Sequence, residues 1–190
     1  GPAFIGLMGV GLVGGLIVGI MTAVKREWAP VTAPIYAGLE GLFLGGISAL
    51  ANMAYPGIVP QAVGLTFGVL FCLLLAYKSG VIRATENFKL GVAAATGGIF
   101  MVYMVSMLMR LFGLSVPFLH GSGPIGIGIS LFIVAIAALN LVLDFDFIEQ
   151  GAANRAPRHM EWYAAFGLMV TLVWLYLEIL NLLMKLRSND

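Results

Sequence analysis

Charge is scarce in this chain. Of 190 residues only 10% are Asp, Glu, Lys or Arg, against about 25% in a typical soluble domain. That shortage excludes a soluble enzyme, a disordered chain and a nucleic-acid binder. Cysteine occurs once, as Cys72 in the apolar run VLFCLLLAY, so neither an internal disulfide nor a cysteine metal site can form. Cys72 reads as a small apolar filler. No Ser-His-Asp arrangement, Walker motif or HExxH motif occurs, and the two histidines, His120 and His159, are far apart in the sequence. With no base in evident reach of a nucleophile, the chain reads as a non-enzyme that needs no cofactor.

Apolar residues are abundant instead. They make up 61% of the chain, and the mean hydropathy is +1.01. A polytopic membrane protein is the class that fits. Six stretches approach or reach the roughly 20 apolar residues a spanning helix needs: about 3–24, 31–53, 60–77, 88–112, 124–148 and 161–184. The connections are short and no sheet pattern appears. The expectation is an all-α membrane helix bundle, one transmembrane domain over residues 1–190.

The breaks between spans carry the punctuation. Lys25, Arg26 and Glu27 end the first span, and Pro30 and Pro34 open the second. Tyr55-Pro56-Gly57 and Pro60 make the next turn, and Arg110 to Pro124 is a longer loop bearing Gly and Pro. The first, third and fifth loops hold Lys25, Arg26, Lys78, Arg83, Lys89, Arg155 and Arg158. The opposite side holds Arg110, Lys185 and Arg187. By the positive-inside rule the loops near 25–30, 78–89 and 149–160 are cytoplasmic. Both chain ends then fall on the far side. The chain opens on Gly1-Pro2 with no initiator Met, and the expectation is a further spanning helix upstream, seven in all.

Two stripes of small residues stand out. Gly11, Gly15 and Gly19 repeat at four-residue intervals, as do Ala37, Gly41, Gly45 and Ala49. Such stripes let helix backbones approach closely in lipid. Trp28, Trp162 and Tyr163 fall at cytoplasmic interfaces and read as anchors.

Four carboxylates lie inside the spans: Glu40, Asp144, Asp146 and Glu178. Each costs about 2.5–3.5 kcal/mol at a helix centre on insertion scales, so each needs a reason. Asp146 and the neighbouring Glu149 lie near the membrane edge, where water suffices. Asn140 and Asp144 share a face of the fifth span; Glu178, Asn181 and Lys185 share one on the sixth. The two polar stripes are expected to face each other. Two buried carboxylates close together cannot both ionise cheaply; sharing a proton makes them a proton switch. Ionised, they offer oxygen ligands that suit a hard cation such as Ca²⁺.

At these residues the sequence resembles the transmembrane Bax inhibitor motif family, also called Bax inhibitor/YccA-like, in its bacterial branch. WLYLEILNLL in the last span is similar to that family's LYLD-x-x-NLF pattern. ALNLVLDFDFIEQG resembles its acidic fifth-helix segment, and YAGLEGLFLGGIS its early helix with glutamate and glycines. The resemblance covers nearly the whole chain. It implies a seven-helix fold with a central helix wrapped by six, and an acidic pair that senses pH and gates a Ca²⁺ leak. Asp144 corresponds to the first acid, Glu178 to the second, and Glu40 to a glutamate on the ion path. The missing helix is the family's first. The expected function is a pH-sensitive calcium leak channel of the bacterial inner membrane. The alternative is a non-conducting regulatory partner of a membrane AAA+ protease or other membrane complex, drawing on the loop from Gln150 to Met160.

Depth along straight helices leaves a rival pairing open. With the last turn centred near residue 156, Asp144 and Glu178 differ in depth by about 15 Å at 1.5 Å per residue. Glu40 lies closer in depth to Asp144, so an Asp144–Glu40 pair competes with an Asp144–Glu178 pair.

Overall fold

Where water is excluded, a backbone must satisfy its own N–H and C=O groups, and long apolar runs therefore become helices. The computed structural model describes residues 1–114 and 121–189. Its long helices are α1 (Pro2–Val24), α2 (Ala29–Ala54), α3 (Ile58–Lys78), α4 (Glu86–Leu111), α5 (Pro124–Ala153) and α6 (His159–Arg187). A 3-10 turn over Arg26–Trp28 joins α1 to α2. No strand occurs among the described residues. All six helices are long and apolar enough to cross a membrane, so this is an all-α, multi-pass membrane protein. His120 lies outside the described residues.

The helix ends differ from the sequence expectation for local reasons. α2 begins at Ala29, with Pro30 in its first turn, where a missing N–H is harmless. Thr85 caps α4, its hydroxyl accepting from the Phe88 N–H at 3.1 Å. α5 runs on to Ala153, past the expected end at 148. It closes with crossed bonds from Ala156 N to Gly151 O (2.9 Å) and from Arg155 N to Ala152 O (3.3 Å). This helix end requires a left-handed residue, usually glycine. Here Arg155 takes that conformation, at φ 51°.

The chain divides into two compact units. The first contains residues 1–59 and 144–173, the second the described parts of 60–143 and 174–190.

In the first unit α1 lies against α2 through glycine. A Cβ at Gly11 would sit 2.6 Å from Leu39 O and 2.8 Å from Phe43 N; one at Gly15 would sit 2.6 Å from Glu40 Oε1. Gly19 faces the Tyr36 ring. The first small-residue stripe is thus a packing seam. The second is not. Gly41 and Gly45 face open space and Ala49 is exposed. α2 packs instead through Tyr36, Glu40, Phe43 and Gly46, the last leaving room for Met8. The seam also holds buried hydroxyls: Thr22 donates to Thr32 at 2.7 Å, and Thr32 donates to Trp28 O at 3.0 Å. Tyr36 meets Phe166 of α6 edge-on, with ring centroids 4.9 Å apart.

In the second unit Ile99, Ile133 and Ile136 form an apolar cluster, flanked by Ala95, Tyr103, Ile129 and Trp174. Cys72 is exposed on α3 and fills no core space, contrary to the sequence expectation. Outward-facing Phe71, Leu75, Phe100, Met101 and Met104 make an apolar exterior. Such a surface is a liability in water but suits a bilayer.

Candidate functional site

Glu40 lies in the α1–α2 seam, 8% exposed. Gly15 provides the space for its carboxylate, since any Cβ there would press on Oε1. Tyr36, one turn earlier on α2, is close enough to feel its charge.

Asp144 is also in the first unit. It is half-buried, beside the Thr171 hydroxyl and close to Gly167, both on α6. Thr171 Oγ1 itself donates to Gly167 O at 3.1 Å. Asp144 Oδ2 is buried with no hydrogen-bond partner. No hydrogen bond joins Asp144 to Glu40 among the described residues; the two acids have different neighbours.

Glu178 belongs to the second unit and is 7% exposed. Its Oε1 accepts from the Tyr103 hydroxyl of α4 at 2.6 Å, and Trp174 lies beside it one turn earlier on α6. Its Oε2 is buried and has no hydrogen-bond partner. Lys185, two turns further along α6, is 6% exposed. It donates to Ser130 Oγ at 2.7 Å and Gly126 O at 3.3 Å.

Members of the two polar stripes reach residues that lie outside the opposite stripe. Asp144 does turn toward α6 residues, and Lys185 toward the start of α5. Asn140, by contrast, donates to Thr96 Oγ1 of α4 at 2.9 Å and to Ile136 O at 2.8 Å, both within the second unit. Asp146 is half-buried and Glu149 is exposed. Among the interface anchors, Trp28 and Trp162 are exposed. Tyr163 has a further role: it packs against Phe147 and Phe166 and carries the Arg26 guanidinium 4.9 Å above its ring. No group of three or more His, Cys, Asp or Glu side chains that could hold a metal ion occurs among the described residues.

Sequence reasoning missed Tyr103, Thr171, Thr96 and Ser130, which supply the hydroxyls around these polar side chains. A hydroxyl in an apolar run was the available signal, but many such hydroxyls bond only their own helix, as Thr66 does to Ala62 O.

The pattern of the family described as Bax inhibitor 1 like matches residues 2–188. The chain belongs to the Bax inhibitor 1 like family. The match takes in all six helices, and with them Glu40, Asp144 and Glu178. Comparison with curated proteins and with solved structures gave no match. Membership of the Bax inhibitor 1 like family agrees with the apolar exterior and the six candidate spans: this is an integral membrane protein.

Proposed function

We propose that this Bax inhibitor 1-like protein is a pH-sensitive calcium leak channel of the bacterial inner membrane, gated by buried carboxylates. One observation carries the reading. Asp144 and Glu178 each keep one buried carboxylate oxygen without a hydrogen-bond donor. In an apolar setting such an oxygen is costly unless something supplies positive charge. A proton does so when it is available, and a hard cation in transit does so when it is not. Proton uptake at either acid removes the negative charge that attracts the cation, which makes flux depend on pH. Glu40, buried against Gly15, lines the path in this reading. The cation is cargo, and the protein performs no covalent chemistry.

The test is Ca²⁺ flux into proteoliposomes between about pH 6 and 8. Wild-type protein is expected to show pH-dependent flux. Asp144→Asn and Glu178→Gln are expected to flatten that dependence. Unaltered pH dependence in the double variant overturns the assignment.

A second reading has its own observation. An open groove of about 490 Å³ lies at the α5–α6 turn, lined by residues including Phe147, Ile148, Met160, Glu161 and Leu168. Arg155, with its left-handed backbone, borders the same groove. That shape suits a non-conducting regulatory partner of a membrane AAA+ protease or similar complex. It predicts no flux from folded protein and co-purification with a large membrane partner, lost on Met160→Glu.

A further inference from the structure

Lys185 has a short route to water that it does not take. It lies in the last turn of α6, two residues before Arg187. A lysine so placed ordinarily extends its stem toward the membrane surface and keeps its ammonium wet. Here the side chain is buried and its ammonium turns inward to two oxygens of α5, Ser130 Oγ at 2.7 Å and Gly126 O at 3.3 Å. Ser130 is itself 1% exposed. Gly126 is buried as well. A Cβ at Gly126 would run into the backbone of Gly121, so only glycine lets the chain cross there. Ser122, next in line, is tied to the end of α6: Ser188 Oγ donates to Ser122 Oγ at 2.9 Å, and Asn189 Nδ2 donates to Ser122 O at 2.6 Å.

Below this seat on the same helix face is Glu178. Seven residues are two turns, about 10 Å of rise, and the two side chains act on one another electrostatically. The groups facing this column are Tyr103 from α4, Ser130 and the Gly126 carbonyl from α5, and Trp174 on α6. Glu178 Oε2 is buried with no hydrogen-bond partner. The column therefore holds a seated ammonium at one end and an incompletely satisfied carboxylate at the other. An ammonium ion and a small inorganic cation seek the same oxygens.

We propose that Lys185 is a tethered cation that occupies the Ser130–Gly126 seat and keeps inorganic cations from settling at Glu178. It is a specificity-determining residue of the ion path. Its bearing on flux rests on the leak reading above, but its effect on cation binding does not. The seated positive charge repels a second cation that would enter the column.

The test is Tb³⁺ binding to the purified full chain in detergent at neutral pH, read as terbium luminescence sensitised by Trp174 beside Glu178. Wild type is expected to bind weakly. Lys185→Met is expected to bind at least tenfold more tightly, and Lys185→Arg, which keeps the charge, to behave as wild type. The double variant Glu178→Gln/Lys185→Met is expected to lose the gain, and so is Trp174→Phe/Lys185→Met when read by luminescence. Binding by Lys185→Met no tighter than wild type, or a gain that survives Glu178→Gln, overturns the proposal. If Lys185→Met does not purify as a monodisperse helical protein, Ser130→Ala decides. It removes the shorter of the two ammonium bonds and is expected to tighten Tb³⁺ binding about threefold; no change overturns the proposal. Absence of Ca²⁺ flux through wild type at every pH defeats the leak reading alone and leaves the Tb³⁺ result to decide the role of Lys185.

Discussion

Among the described residues, Tyr103 gives Glu178 its one hydrogen bond from another helix, a 2.6 Å contact to Oε1. Removing the donor takes a partner from a buried carboxylate, which costs more than an average hydrogen bond contributes. Tyr103→Phe is therefore expected to lower stability by about 1–3 kcal/mol, measured as a fall in midpoint on thermal unfolding in detergent. The loss should shrink when Glu178→Gln is already present, because side chains in direct contact do not contribute independently. The acids themselves were legible in the sequence: in a chain with so few charges, a carboxylate inside an apolar run stands out. Their hydroxyl neighbours were not. A Thr or Ser in a spanning helix can satisfy itself on its own backbone, as Thr96 does on Val92 O, and a Tyr is ordinary near a membrane interface. Only the neighbouring helix reveals that Tyr103 reaches Glu178 or that Ser130 receives Lys185.

At the level of the helix, the two small-residue stripes have the same spacing and opposite fates. Gly11→Ala is expected to destabilise by about 1–3 kcal/mol, since the added methyl meets the α2 backbone, which cannot move aside as a side chain does. Gly41→Ala and Gly45→Ala, in open space, are expected to be neutral or to stabilise by up to about 1 kcal/mol through helix propensity alone. Thermal unfolding of the three variants side by side checks both directions. Arg155 offers a third measurement of this kind. It stands where a left-handed conformation favours glycine, so Arg155→Gly is expected to raise stability by about 1 kcal/mol. The sequence yielded the number and order of helices because length and hydropathy suffice for that. It did not yield which glycine face packs: a repeat of four marks one face of a helix without saying whether protein or lipid lies against it. Asn140 makes the same point. Its place on the Asp144 face was readable, but its bond to Thr96 of α4 required the neighbour.

For the whole molecule, the uneven distribution of Lys and Arg gives an orientation that can be measured directly. On a Cys72→Ala background, a cysteine placed at Asn154 or Ser79 is expected to react with a membrane-impermeant maleimide from the cytoplasmic side, and one at Ser122 from the opposite side. Reaction of all three from one side defeats the orientation. The same molecule carries a consequence for how it is made. Only Lys25 and one 3-10 turn separate α1 from α2, so the two helices form a tight hairpin. Glu40, midway along the second arm, is the costly passenger of that hairpin, and the gap at Gly15 on the first arm is what receives it. The carboxylate can thus be housed before α2 meets hydrocarbon on its own. Birth order and packing agree: the arm with the space is synthesised ahead of the arm with the charge.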